Sequence, residues 1–231
     1  MDGTCVPSME DVLDLYAEPL DEWMEARFHP KRPLVGFDEC PYQLVGEVRA
    51  EVPASSEHSR RIDYEYKRNG TCNLFVAVQP KGGWRHVAVT ERRTKIDFAQ
   101  QLKELSDVHF PDADVIRLVL DNLNTHTPSA LYEAFPPEEA RRLVSRFEFH
   151  YTPKHGRLKV RLQPCWLNVA EIELSVLGHQ CLDRRIDCVE RLSTEVAAWE
   201  KPRNANHVTI NWLFSTENAR TKLSRLYPAI P

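Results

Sequence analysis

The chain has 231 residues, of which 42% are hydrophobic and 28% are charged, and its formal net charge at pH 7 is −4. This composition is that of an ordinary globular protein, and no run of about 18 apolar residues predicts a transmembrane helix. The negative charge also argues against a domain that binds DNA by bulk electrostatic attraction alone. The first residues have neither a basic start nor an apolar stretch, so we expect no secretion signal and a cytoplasmic protein.

Cysteine and histidine spacing gives no sign of a soft-metal site. The six cysteines contain no Cys-x-x-Cys pair, which favours reduced thiols that serve in packing. Four histidines are expected to be packing or surface residues, because their spacing matches no metal-binding pattern. They are His86, His109, His150 and His179.

The amino-terminal part predicts one helix and one strand. Apolar residues at helical spacing predict a helix over 9–24, which Pro19 should kink or divide. An apolar run over 33–39 then ends in Asp38 and Glu39, which predicts a strand finishing on an acid. A polar segment over 47–61 is expected to be an exposed loop.

An antiparallel meander of three strands is predicted next. Residues 61–66 alternate with period two and lead into Asn69-Gly70, which predicts a hairpin turn. The return strand is expected over 73–79, and two consecutive glycines then turn the chain into a third strand over 84–90.

A helix and a buried strand follow the meander. The apolar face of 94–108 predicts a helix, with Thr94 and Asp97 as a variant of the capping box. The segment VIRLVLDNLNTH at 115–126 predicts a buried strand that ends at Asp121. Such a strand end is where ligands and catalytic groups collect in open α/β sheets, although an Asp there can also serve only as a turn cap.

The remaining elements are predominantly helical. Two short helices are expected within 128–144, a strand over 147–152, and a surface strand or loop over 157–163. A helix over 166–182 carries Glu171 and Glu173, and further helices are expected over 189–199 and 217–226. The predicted domains are a leading helix and linker (1–33), a core (34–182) and a carboxyl-terminal helical extension (183–231).

Three acids stand on separate predicted elements. Asp38 and Asp121 each end a strand, and Glu171 lies on a later helix. If they converge, they form an oxygen-only site that can hold two divalent cations for phosphoryl transfer. Glu39 is a competitor for Asp38, and Glu171 can also be an ordinary solvated helix acid. The order of elements is that of a ribonuclease H-like fold, a mixed sheet with an antiparallel three-stranded meander flanked by helices.

Six segments carry a family resemblance. They are FDE at 37–39, DYEYKRNGTCNLF at 63–75, GWRHVAVTERRTKIDFAQ at 83–100, VLDNLNTH at 119–126, YTPKHG at 151–156 and WLNVAEIELSVL at 166–177. Together they resemble the DDE transposases of bacterial insertion sequences allied to the mariner superfamily. The combination of DNLNTH with a later LN-x-x-E is far rarer than any single acid.

The resemblance implies a catalytic and metal-binding triad of Asp38, Asp121 and Glu171. Glu173 would face elsewhere, about 200° round the helix. The implied cofactor is Mg²⁺, with Mn²⁺ as a substitute and two ions in the site. The implied activity is cleavage of DNA at transposon ends and joining of the 3′-hydroxyl to target DNA, typically at TA.

The resemblance also implies DNA-binding residues and partners. Asn122 and His126 would support the metal site or contact DNA, and Lys154 and His155 lie in the family's loop before the last helix. A phosphate contact is expected for Lys154. The implied partners are terminal-repeat DNA, target DNA and a second copy of the chain in a homodimer.

The chain departs from the family pattern in two ways. It starts at about the catalytic domain, whereas relatives carry an amino-terminal helix-turn-helix region. Residues 157–165 lengthen the family's usual connection between the second Asp and the Glu, so that 49 residues lie between Asp121 and Glu171. This insert could loop out or displace Glu171. Two alternatives to a transposase therefore stay open: a non-catalytic remnant of a decayed element, and a general ribonuclease H-like nuclease.

Overall fold

A mixed sheet of five strands forms the centre of the protein. The computed structural model describes residues 5–18, 31–49, 54–56, 59, 63–153 and 167–227. The strands are β1 (Leu34–Glu47), β2 (Tyr66–Gln79), β3 (Trp84–Thr90), β4 (Ile116–Leu120) and β5 (Phe147–Tyr151). Their spatial order is β3-β2-β1-β4-β5. The first three strands are antiparallel, and β4 and β5 are parallel to β1, which is the mixed arrangement predicted from the sequence.

Seven α-helices flank the sheet in the described part of the chain. They are α1 (Cys5–Ala17), α2 (Lys95–Glu104), α3 (Ser129–Ala134), α4 (Pro137–Val144), α5 (Val169–Leu177), α6 (Val189–Ala205) and α7 (Thr216–Lys222). A π-helical turn extends α2 over Leu105–His109, another extends α5 over Gly178–Leu182, and a 3₁₀ turn covers Ser224–Leu226. None of the described helices is long and apolar enough to span a membrane.

Each face of the sheet packs against its own set of helices, because successive strand residues point to opposite faces. On one face, α2, α3 and α4 cover Val35 and Phe37 of β1. On the other face, α1 and α5 cover Leu34 of β1, and α6 covers Val87 of β3. The sheet is therefore buried on both sides, and the first residues of β1 lie between the two helical layers.

The predicted hairpin at Asn69-Gly70 is wrong. The chain continues as one strand through Tyr66–Gln79 and pairs along its length with β1. Gly70 has a positive φ of +99°, and the register with β1 shifts between Gln43 and Val45. The dipeptide therefore supplies left-handed backbone to a β-bulge, which needs the same glycine conformation as a hairpin turn.

Other boundaries differ from the predictions in smaller ways. The first helix ends at Ala17, before Pro19, and α6 runs six residues beyond the predicted end at Trp199. The capping box of α2 is confirmed, since Thr94 and Asp97 each bond the other's backbone N–H. Ile96 is exposed rather than part of the apolar face. Some predictions fall outside the described residues, namely those for 157–163, most of the loop 47–61, Lys154 and His155. The division into three domains stays a prediction.

Helix α6 covers the outer edge of β3. The Asn204 side chain accepts from Arg85 N–H at 2.8 Å and donates to Arg85 C=O at 2.7 Å. Glu200 accepts from Val87 N–H at 2.9 Å. Side chains of α6 thus satisfy backbone groups that an edge strand otherwise leaves unpaired.

A buried ion pair joins α5 to the same strand. Arg85 Nε donates to Glu173 Oε1 at 2.8 Å, and the two side chains are 0% and 1% exposed. Arg203 of α6 also lies 3.1 Å from Glu173. Glu173 therefore faces away from the predicted triad and fixes α5 against β3.

Candidate active site

Asp38 and Asp121 lie beside each other on neighbouring parallel strands. The pairing of β1 with β4 places Gly36 opposite Val119, and two further residues along each strand lead to Asp38 and Asp121. Asp38 is within β1, and Asp121 follows the last residue of β4 directly. The order β2-β1-β4 changes strand direction at this point, so both acids stand at the carboxyl edge of a parallel pair.

The start of α5 is docked onto β1 just before Asp38. Asn168 caps the helix, because its side chain accepts from Ala170 N–H at 3.1 Å and donates to Phe37 C=O at 2.9 Å. A Cβ on Gly36 would collide with Val169 and lie 3.3 Å from Ala170 N. Only glycine permits this close approach of helix and strand. Glu171 is consequently presented from the first turn of α5, one turn beyond the anchor on β1.

The structure brings the three predicted acids into one electrostatic site. Burial is the largest cause that raises the pKa of Asp38, and the negative charges of Asp121 and Glu171 add to it. A hydrogen bond from Glu39 N–H opposes the rise, and the net pKa is about 7. Like charges that repel in this way favour a proton or a cation among them. Glu171 therefore lies within electrostatic reach of Asp38.

A buried histidine forms a hydrogen bond with Asp121. His126 Nδ1 lies 2.5 Å from Asp121 Oδ1, and its Nε2 lies 2.5 Å from Glu39 Oε2. The side chains of His126 and Glu39 are 0% and 3% exposed. Burial lowers the pKa of His126, but the hydrogen bonds to the two carboxylates outweigh it and raise the pKa to about 9. The two carboxylates thus favour the charged form of His126, which links Glu39 in β1 to Asp121 at the end of β4.

The imidazole of His126 is completely buried, and the direct DNA contact named as one of its roles stays a prediction. Its alternative role, support of the site, fits the contacts with Asp121 and Glu39. Glu39 is also not an equivalent of Asp38, since adjacent residues of a strand point to opposite faces. Asn122 is exposed beside Asp121, as a DNA contact requires.

Three hydrogen bonds at the site carry little signal in the sequence. Asn168 is recognisable as a helix cap, but its bond to Phe37 C=O spans 131 positions. Tyr16 of α1 likewise donates to Leu167 C=O at 2.8 Å, and Tyr151 donates to His126 C=O at 2.8 Å. Such long-range bonds are set by the packed fold and not by local patterns.

The donor set suits a hard divalent cation. Carboxylate oxygens are the ligands that Mg²⁺ and Mn²⁺ prefer, and the repulsion at Asp38 is what a bound cation would relieve. Among the described residues, only His86, Glu104 and His109 bring three ligand atoms within 4.8 Å of one another. The three acids are thus spaced more widely than a single compact ion site requires, although two ions about 3.5–4 Å apart need a wider set.

Comparison with known sequences identifies the core. The sequence pattern of the DDE superfamily endonucleases matches residues 33–193, which include all three acids and the whole sheet. No curated protein matches the chain.

Solved structures of Mos1 complexes share the fold of this chain. A pre-cleavage Mos1 transpososome matches all of this chain and 65% of its own chain, with a TM-score of 0.51 and 12% identity. The Mos1 strand transfer complex and the Mos1 mariner paired-end complex with Mn each match 90% of this chain and 58% of theirs, with TM-scores of 0.50 and identities of 13% and 15%. At these identities the likeness shows the fold, which confirms the predicted ribonuclease H-like class. The chain spans about three fifths of the length of the solved chains.

Proposed function

Because the chain belongs to the DDE superfamily endonucleases, we propose that it is the catalytic domain of a transposase. In this proposal it cuts DNA at transposon ends and joins the 3′-hydroxyl to target DNA, typically at TA. The sequence motifs favour a bacterial insertion sequence allied to mariner as its source, acting on chromosomal DNA in the cytoplasm.

One observation carries the proposal. Asp38 lies in β1, Asp121 follows β4, and Glu171 lies in α5. The negative charges of Asp121 and Glu171 nevertheless act on Asp38. An oxygen-rich cluster assembled from distant segments is the site that metal-dependent phosphoryl transfer requires. Two Mg²⁺ ions, or Mn²⁺ in their place, would activate the attacking water or 3′-hydroxyl and stabilise the leaving oxygen when bound there.

The chain's own residues orient this site. His126 holds Asp121 through a charged hydrogen bond, and Asn168 fixes the helix that carries Glu171. Arg93 is half exposed and lies 3.7 Å from Glu39, so its guanidinium stands near the acids with donors open to solvent. We assign DNA contacts to Arg93 and the exposed Asn122, and a phosphate contact to Lys154 by resemblance. A homodimer would hold the two transposon ends together.

The test is a strand-transfer assay with the purified chain. The donor is a labelled duplex made from the DNA that flanks the coding sequence, and the target is a supercoiled plasmid. We expect nicking and covalent capture of the label with Mg²⁺ or Mn²⁺, and neither product with EDTA. Cleavage of RNA in a hybrid without DNA products would favour a general nuclease, and no product of either kind would favour a catalytically dead remnant.

Gly36→Ala should separate Glu171 from the other acids. The new methyl group collides with Val169 and pushes the start of α5 away from β1. A misplacement of about 1 Å can cost roughly a hundredfold in rate, whereas overpacking costs only about 1–3 kcal/mol of stability. We expect a nicking rate about a hundredfold lower in a chain that still folds, measured with circular dichroism beside the assay. Gly178→Ala is the matched control, because a Cβ there meets nothing within 4 Å; equal rates for both variants would contradict the docking argument.

Glu39→Gln should weaken metal binding without touching a proposed ligand. The amide cannot hold a charged His126 as the carboxylate does, so Asp121 loses its fixed orientation. Changes to such supporting groups cost about 10- to 100-fold in metal affinity. Calorimetric titration with Mn²⁺ measures the change, and Glu133→Gln, a partly exposed partner of Lys95, should bind as the parent chain does. Unchanged Mn²⁺ affinity in Glu39→Gln would remove the supporting role from His126.

A further inference from the structure

A second set of metal-ligating side chains lies at the junction of β3 and α2. His86 is in β3, Glu104 is the last residue of α2, and His109 ends the π-helical turn. Glu104 Oε1 lies 3.6 Å from His86 Nε2 and 3.7 Å from His109 Nε2. One ligand atom from each residue lies within 4.8 Å of the other two. The three groups therefore already surround a volume of the size that one ion occupies.

The π-helical turn is what brings Glu104 and His109 together. They are five positions apart, so in a regular α-helix their side chains would point about 140° apart. Phe110 N–H instead donates to Leu105 C=O at 2.9 Å, which is the i to i+5 bond of a π-helix. This wider turn places both side chains on the side that faces His86. Single π-turns of this kind are frequent at functional sites.

The surroundings of the cluster resemble those of a built ligand site. The side chains of His86, Glu104 and His109 are 23%, 39% and 18% exposed, so an ion can reach them. His109 Nε2 is buried and has no hydrogen-bond partner in the described structure. Trp84 packs against the His109 ring at a centroid distance of 4.9 Å, which restricts its rotation. A buried nitrogen aimed at two other ligands is unsatisfied as it stands, and a metal ion would satisfy it.

Glu200 of α6 supplies a supporting carboxylate. Its Oε1 lies 3.5 Å from His86 Nδ1, and its Oε2 accepts from Val87 N–H at 2.9 Å. A carboxylate on the far nitrogen fixes the tautomer of a ligating histidine and leaves the other nitrogen for the metal. His86 Nε2, the nitrogen that faces Glu104, is the one left for the ion.

We propose that His86, Glu104 and His109 bind one divalent transition-metal ion of the zinc type. Two imidazoles and one carboxylate are a usual ligand set for Zn²⁺, with a fourth position for water. The donor set differs from the all-oxygen triad, so the two sites select different ions. The ion links the edge strand β3 to the end of α2 and stabilises this junction. The junction lies two strands away from β1 in the sheet.

Calorimetric titration of the whole chain with Zn²⁺, in excess Mg²⁺ to occupy the oxygen-rich site, tests the proposal. We expect one Zn²⁺ per chain, no binding of that ion by His86→Ala or His109→Ala, and about 10- to 100-fold weaker binding by Glu200→Gln. His179→Ala, which removes an exposed histidine, and Asp121→Asn should each keep the parent affinity. Circular dichroism establishes that each variant is folded, and the visible spectrum of the Co²⁺-loaded chain reports imidazole ligation even if one histidine variant does not fold.

Three results would overturn the proposal. The parent chain can fail to bind Zn²⁺, or it can bind Zn²⁺ equally well without either histidine. Binding that disappears in Asp121→Asn but persists in both histidine variants would assign the ion to the acid triad.

Discussion

Asp121→Asn is expected to lower the rate of Mn²⁺-dependent DNA nicking by about a thousandfold. The change keeps the shape and a hydrogen-bonding oxygen for His126 but removes one negative charge from the site. Charge stabilisation by bound metal contributes several kcal/mol to such reactions, and about 4 kcal/mol corresponds to roughly three powers of ten in rate. Single-turnover nicking of a supercoiled plasmid, followed on gels, measures the loss. Asp38→Asn should give a loss of the same order.

The control for this prediction is an acid that lies just before the first residue of β4. Asp114 is exposed and lies two residues before β4, so Asp114→Asn removes the same charge from the chain. We expect its nicking rate to stay within a factor of about two of the parent rate, because surface changes alter stability by less than about 0.5 kcal/mol. If both variants nick equally fast, the site does not depend on Asp121 and the proposed triad is wrong.

Glu173→Gln is expected to destabilise the fold by about 3–5 kcal/mol, the cost of removing one partner of a buried ion pair. Arg85 is fully buried and bonds Glu173, Gly83 C=O and Val208 C=O. Its charge would then be compensated only by these carbonyl dipoles and by the more distant carboxylate of Glu200. Chemical denaturation with a fitted midpoint and slope measures the free energy of unfolding.

Glu171→Gln is the matched control on the same helix. It removes the same charge two residues away, but Glu171 is half-buried and near other acids, so stability should change little. The two variants should therefore have different defects. Glu173→Gln should lose stability, whereas Glu171→Gln should keep its stability and lose DNA nicking. A free energy of unfolding for Glu173→Gln within about 0.5 kcal/mol of the parent would show that the ion pair does not hold α5 in place.

The strand end at Asp121 could be predicted because it follows a local pattern, whereas the strand expected to finish on Asp38 continues to Glu47. A run of apolar residues predicts a buried strand wherever the chain sits in the fold, and Thr94 with Asp97 predicts a helix start for the same local reason. Glycine at positive φ is also a local signal, but it does not distinguish a bulge from a turn. The hairpin at Asn69-Gly70 was therefore mispredicted, since the outcome depends on β1 offering a partner along the whole of β2.

The contacts that orient the site could not be predicted from spacing. Glu39 and His126 are 87 positions apart and meet only because β1 and β4 are neighbours. His86 and His109 have no ligand spacing, and Glu104 joins His109 only through a π-turn that no helical periodicity predicts. Both clusters depend on tertiary packing, so the sequence alone points to three acids as an expected triad but not to the residues that surround them.

The closed edge of β3 limits how this sheet can meet another molecule. Many proteins bind an extended peptide, or aggregate, by adding a strand to an exposed sheet edge. Here Asn204 and Glu200 occupy the backbone groups of Arg85 and Val87 that an incoming strand would need. Strand addition at this edge would first require α6 to leave. The backbone groups of Arg85 and Val87 are therefore closed to strand addition, and this part of the edge is protected from templating β-aggregates.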